Sequence, residues 1–181
     1  MSKDTRDPLE WEEVKCENIV NDEWIQFRRQ AFRLPDGTVF EPFYTYSRRD
    51  YVVIVATDED GNYLCVRQFR QGIRRVTTEF VAGGIEKEDP FEAAKRELRE
   101  ETGYESDEWK YLLTLPSNAT IADNCAHIYV AKNCRKVTGQ SLDETEFLNV
   151  IKYTDEQIDS MIHSGEFPQS MHVLAWLLSK R

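Results

Sequence analysis

The sequence predicts an α/β fold, a layered sandwich of strands and helices preceded by an antiparallel β region. Two observations predict it. Short apolar runs bounded by turn residues recur along most of the chain, which is the pattern of strands. Helical spacing of apolar residues, with capping residues at its borders, is confined to three later segments. With 181 residues the chain can bury a substantial core, and no composition break divides it.

The elements follow in order. Residues 24–32 and 38–46 read as two strands joined by Pro35-Asp36-Gly37, a turn signal. A second strand pair, 51–57 and 63–69, surrounds Asp60-Gly61. The first helix is written in its borders. Asp89 suits the N-cap, Pro90 the first helical position, Glu92 the third position of a capping box, and Gly103 the C-terminal stop. Phe91, Ala94 and Leu98 then lie on its core-facing side. Residues 111–115, 126–131 and 147–153 are further strand candidates. Thr154 with Gln157 forms a capping box for a helix from Asp155 to about His163, ended by Gly165, and Pro168 opens a last helix through Leu178.

The first helix carries unusual chemistry. Glu97, Glu100 and Glu101 crowd three carboxylates into five residues at its C-terminal end, where negative charge opposes the helix dipole. At about 100° per residue Glu97 and Glu101 lie within roughly 40° of each other, with Glu100 about 60° further round, so all three reach one site. Arg96, four residues before Glu100, can hold that carboxylate. Hard oxygen ligands short of a full cage suit Mg2+ or Mn2+ shared with phosphate groups. This points to a metal-dependent enzyme acting on a phosphate compound.

Composition narrows the class. The formal net charge of −10 argues against nucleic acid as a general partner. It also requires local cations for any anionic substrate. Arg67, Arg70, Arg74 and Arg75 cluster before the helix, and Arg28, Arg29 and Arg33 lie earlier; arginine suits bidentate phosphate recognition. No apolar run reaches membrane-spanning length, and the N-terminal string MSKDTRDPLEWEE is too charged for a secretion signal, so no membrane contact and a cytoplasmic location are expected. Four cysteines without a CxxC pair and three scattered histidines disfavour zinc.

The string Arg96-Glu97-Leu98-Arg99-Glu100-Glu101-Thr102-Gly103-Tyr104 resembles the signature of the Nudix hydrolases. The spacing from Gly83 to Glu88 is one residue shorter than that pattern, which falls in the loop before the helix. Val66-Arg67-Gln68-Phe69-Arg70 and Thr78-Glu79-Phe80-Val81-Ala82-Gly83-Gly84-Ile85-Glu86 resemble the ADP-ribose pyrophosphatase branch of that superfamily. The resemblance implies an α/β/α sandwich with a mixed central sheet over residues 47–181. It also implies an N-terminal β region over 1–46 that serves dimerisation and substrate binding. It assigns the metal to Glu97, Glu100, Glu101 and the Ala82 carbonyl, the substrate pyrophosphate to Arg70, and a place near the substrate to Glu79. A homodimer is expected, with Phe27 as a base-stacking candidate. The base that deprotonates the attacking water is expected in the loop Asp143-Glu144-Thr145-Glu146, Glu144 before Glu146. Glu100 is counted with these catalytic candidates.

The expected reaction is metal-dependent hydrolysis of the pyrophosphate bond of ADP-ribose or a related nucleoside diphosphate sugar. In place of the branch's Ser-Pro-Gly and following Glu, this chain has Pro116-Ser117-Asn118-Ala119-Thr120-Ile121-Ala122-Asp123-Asn124, so another nucleotide sugar competes as substrate. A nucleoside triphosphate or oxidised-nucleotide pyrophosphohydrolase and a non-catalytic nucleotide sensor are the alternatives.

Overall fold

The computed structural model describes residues 7–181. The first six residues, which open both the charged N-terminal string and the 1–46 region, lie outside the described residues. Thirteen elements follow one another among the described residues, in two compact units. One unit holds the chain through Arg49 with Pro116–Asn124; the other holds Asp50–Leu115 with Cys125–Arg181.

The first unit is an antiparallel sheet of β1 (Glu12–Asn21), β2 (Gln26–Arg33) and β3 (Val39–Ser47), in that order. The turn between β2 and β3 is the one the sequence marks. Gly37 takes a φ of 86° there and donates its N–H to Leu34 O at 2.9 Å. Pro116–Asn124 joins this sheet through a parallel bridge from Ala122 to Tyr46, and Asp123 accepts from Arg28 at 3.1 Å and from the Ser47 hydroxyl. β1 is not expected from the sequence. Every residue in it is exposed, and charges at Glu12, Glu13, Lys15 and Glu17 hide the alternation that marks a half-buried strand.

The second unit is built on a mixed sheet in the order β10-β5-β6-β4-β9-β7, with β8 also paired to β9. Its strands are β4 (Tyr51–Asp58), β5 (Tyr63–Arg70), β6 (Arg75–Gly84), β7 (Tyr104–Glu105), β8 (Glu108–Pro116), β9 (Cys125–Lys136) and β10 (Leu148–Tyr153). β4 and β9 run parallel; the other registered neighbours are antiparallel. Side chains alternate between two cores. Val52, Ile54, Leu64, Val66 and Val81 face helix α1 (Pro90–Thr102), which contributes Ala93, Ala94 and Leu98. Val53, Val55, Cys65, Phe80 and Ile128 face α2 (Asp155–Ser164) and α3 (Ser170–Ser179), which contribute Ile158, Met161, Ala175 and Trp176. The α/β sandwich with a separate antiparallel sheet is therefore the observed fold.

Two local expectations are corrected. β4 and β5 pair as a hairpin only at Ala56↔Leu64 and Thr57↔Tyr63, because β6 enters between them. β6 follows β5 from Arg75 to Phe80, then pairs with β4 from Val81 to Gly84. At α1, Asp89 caps the amides of Phe91 and Glu92 as expected, but the Glu92 carboxylate meets Lys95 Nζ at 2.8 Å instead of completing a capping box. An ammonium one turn along is a stronger partner than a neutral amide. The stop at Gly103 holds: its φ is 76°, and a Cβ there would lie 2.3 Å from Thr138 O. Among the described residues no helix is long and apolar enough to cross a membrane.

Candidate active site

Helix α1 turns its acidic end into the sheet. Glu97 and Glu101 are buried while Glu100 is half-exposed, as the helical angles require. Glu97 lies against the backbone of β6 so closely that a Cβ on Gly83 would fall 2.0 Å from its carboxyl carbon. Only glycine leaves room for that carboxylate. One residue back on β6, the Ala82 N–H donates to Glu101 Oε2 at 3.3 Å.

Arg96 gathers the same carboxylates from the outer side. It donates to Glu97 at 2.7 Å, to Glu100 at 2.9 Å, to Glu88 at 2.8 Å and to Gly84 O at 2.9 Å. Glu88 thus keeps a defined partner despite the shortened loop, and Arg96 pulls its carboxyl down to about 2. Glu97 behaves in the opposite way. Burial pushes it up to about 7, although Arg96 opposes the shift. Glu101 is raised well above the ordinary carboxylate range, first by burial and then by the charge of Glu97.

Glu146 adds to the repulsion at both Glu97 and Glu101, so its carboxylate belongs to this constellation. It also accepts from the Asp143 N–H at 3.0 Å, which closes the loop before β10. Glu144, two residues earlier, is exposed in the turn. Of the two loop candidates, Glu146 is the one whose charge is seen to bear on both Glu97 and Glu101.

A second buried carboxylate, Glu79 on β6, lies beside Arg70 at the end of β5. Arg70 Nε donates to its two oxygens at 2.8 and 3.0 Å, and Nη2 donates to Oε2. The Thr77 hydroxyl and the Gln169 amide also donate to Oε1, the latter at 3.4 Å. Burial alone raises Glu79, yet Arg70 and Thr77 hold it below its ordinary value. Arg70 feels the charge of Glu101 as well. The sequence pointed to Arg70 and Glu79; Thr77, Gln169 and His172 behind them were missed, because nothing local distinguishes them.

Other expected residues belong to other elements. Phe27 belongs to the N-terminal unit, where its ring stacks on Tyr44 with centroids 5.6 Å apart and planes 3° from parallel. Arg28 pairs with Asp123 and Arg33 with Glu12 in the same unit. Arg75 donates to Gly165 O at 3.1 Å. A cleft of about 480 Å3 opens on the far side of Arg96, beside Trp109. Its other cations are matched, Lys95 to Glu92 at 2.8 Å and Arg99 to Glu105 at 2.5 Å, and it lacks Glu97 and Glu101.

The donor set fits a divalent cation. Buried carboxylates that repel each other, and a carboxylate seated where a side chain would otherwise be, need positive charge that burial does not supply. Among the described residues no three carboxylate, imidazole or thiol groups converge into a ready cage. Arg96 draws Glu97 and Glu100 around itself, and Mg2+ is commonly completed by substrate phosphates rather than by protein alone.

A family model for the NUDIX domain matches residues 47–166. The chain belongs to the Nudix family. Its relatives place this Nudix hydrolase in the ADP-ribose pyrophosphatase-like branch. It is 30% identical over 160 residues to an ADP-ribose pyrophosphatase of Bacillus subtilis (strain 168), covering 87% of this chain and 86% of that one. It is also 30% identical over 170 residues to a methanol dehydrogenase activator of Bacillus methanolicus, covering 90% and 88%. A crystal structure of an ADP compounds hydrolase shares the fold, with a TM-score of 0.81 and 19% identity over 97% of this chain and 95% of that chain.

Proposed function

We propose that this Nudix hydrolase cleaves the pyrophosphate bond of ADP-ribose or a related nucleoside diphosphate sugar, giving a nucleoside monophosphate and a sugar phosphate. The observation that carries this reading is the placement of a locked guanidinium, Arg70, within electrostatic reach of the buried carboxylate Glu101. A diphosphate seated there would meet the Arg70 guanidinium directly and the helix carboxylates through a cation that they would hold. The Bacillus subtilis relative's activity supports the substrate class.

In this reading Glu97, Glu100, Glu101 and the Ala82 carbonyl hold Mg2+ or Mn2+. Such a cation neutralises phosphate charge and acidifies water when bound. Arg70 takes the diphosphate oxygens through the guanidinium edge that Glu79 leaves free. Arg96 keeps Glu97 and Glu100 oriented. Glu146 accepts the proton of the water that attacks one phosphorus; the bridging P–O bond breaks, and the second phosphate departs with its electrons. Glu146 now stands ahead of Glu144 for this role, on its charge contact with Glu97 and Glu101.

The reading extends to a cytoplasmic homodimer in which residues 1–46 serve assembly and substrate binding and residues 47–181 form the hydrolase domain. Trp11, Trp24, Val39, Phe40 and Tyr44 are exposed in the N-terminal unit, which supports a covering partner. Phe27 remains the stacking candidate there. The Bacillus methanolicus relative's name suggests a regulatory role for that protein; the intact Glu97, Glu100 and Glu101 favour hydrolysis here.

The test is incubation with Mg2+ and ADP-ribose, other nucleotide sugars, dinucleotides and nucleoside triphosphates, measuring release of phosphate monoesters. Cleavage of a nucleotide sugar is expected. Activity on triphosphates alone would replace this reading with a triphosphate pyrophosphohydrolase, and binding without cleavage would make the protein a sensor.

A further inference from the structure

The first half of β6 has β5 on one side, while β4 pairs only from Val81 onward. The amides of Thr78 and Phe80 therefore need other acceptors. The chain from Glu166 to His172, which comprises the end of the α2–α3 link and the first turn of α3, supplies them. Thr78 N–H donates to Glu166 O at 3.2 Å, and Phe80 N–H donates to His172 Nδ1 at 3.1 Å. Between those two anchors Gln169 donates its side-chain amide to Glu79.

The place of Gln169 is telling. It is the N-cap residue of α3, yet its side chain makes no capping hydrogen bond. The contact with Glu79 is the longest of the set, at 3.4 Å, and uses the side-chain NH2, which has no backbone acceptor to serve at a helix N-terminus. His172, one turn further on, is buried and lies parallel to Phe80, with planes 3° apart. Accepting through Nδ1 leaves its proton on Nε2, so the ring is a neutral acceptor. Burial holds it down to about 4, which keeps it in that state. The buried Thr77 hydroxyl also donates to Glu79 Oε1.

We infer that Thr77, Gln169 and His172 are positioning residues for the hydrolase: a brace that fixes Glu79, and through Glu79 the plane of the Arg70 guanidinium, without touching substrate. Glu79 itself is moved by this inference from substrate contact to the brace, because each of its oxygens already accepts from protein donors and the residue is fully buried. The brace explains why a segment between two helices sits where a strand would otherwise run. It rests on the reading of Arg70 as the diphosphate-binding group.

The experiment uses the full chain. Thr77→Val keeps shape and removes the hydroxyl; Gln169→Ala removes the amide. Each should raise KM for ADP-ribose about 5-fold, and together about 20-fold, with kcat within about 2-fold, because an oriented cation acts in binding. Thr77→Ser should restore wild-type KM. In an Arg70→Ala background the same changes should add nothing. An unchanged KM, or an effect that persists in full without Arg70, overturns the brace.

A second readout does not need turnover. The Arg70 Nε–H signal in a 15N spectrum, assigned by its loss in Arg70→Lys, should exchange with water at least about 10-fold faster in the double variant. Unchanged exchange overturns the brace. Faster exchange in a protein that cleaves nothing in the panel would uphold the brace and sink only the hydrolase reading.

Discussion

Glu79 and Glu101 are both buried, at 0% and 2% exposure, and their charges are treated in opposite ways. Glu79 is surrounded by a guanidinium, a hydroxyl and an amide, and its carboxyl is held low. Glu101 has one backbone N–H at 3.3 Å and two carboxylate neighbours, and its carboxyl is driven high. Burial raises both by itself; the partners decide the outcome. A carboxylate supplied in full by the protein is structural. One left short of positive charge, next to others like it, is arranged for a cation that is not part of the chain.

The largest effect expected from breaking this contrast is on turnover. Glu101→Gln should lower kcat at least ~100-fold with unfolding stability unchanged or raised, since it removes a buried carboxyl whose ionisation the fold disfavours. Steady-state kinetics and denaturant unfolding of the same preparation check both halves. Glu79→Gln should do the reverse in stability: it leaves Arg70 without its buried partner and should cost about 3 kcal/mol. A stable Glu79→Gln protein would show that the pair is not what holds that corner.

Gly83→Ala comes next. Its Cβ would overlap the Glu97 carboxylate, so the side chain must leave its seat. The Mg2+ concentration for half-maximal activity should rise roughly 10-fold, while the fold survives because the displaced group is one flexible side chain. A metal titration of activity decides it.

The pH dependence sharpens the same contrast. In metal-free protein Glu97 titrates at about 7 against an ordinary 4.5. The native state then keeps a proton that the unfolded chain has released. The stability this contributes is full below about pH 4.5 and is lost as pH rises through about 7, at most about 3 kcal/mol. Glu97→Gln should flatten that part of the melting-temperature profile, and Mg2+ should stabilise the wild type more at pH 8 than at pH 5. The smallest effect is the separation of the two loop glutamates: Glu146→Gln should lower turnover, and Glu144→Gln should leave it within about 2-fold. Equal losses from both would return the base to either position.

Much of the fold was legible locally. Both borders of α1, the capping box at Thr154 and the turn at Gly37 follow from short-range hydrogen bonding and from φ values that glycine adopts easily, so a few residues suffice to read them. β6 was harder to read as a strand, because it carries a charged Glu79 at its centre and two glycines at its end. Its glutamate is tolerated only because Arg70 on β5 and the residues before α3 meet it in space.

The amino-acid sequence by itself determined the α/β class, the acidic helix and the family, and it singled out Arg70, Glu79, Glu97, Glu100 and Glu101, since their spacing along helix and strand sets which side chains share a face. It could not rank Glu144 against Glu146, because the turn before β10, in which Glu146 accepts from the Asp143 N–H, decides how each carboxylate is directed. Nor could it show that Gln169 and His172 reach back about 90 residues to Glu79 and Phe80. Those choices belong to the tertiary structure: a buried carboxylate takes its charge state from groups distant in sequence, and only packing brings them within hydrogen-bonding range.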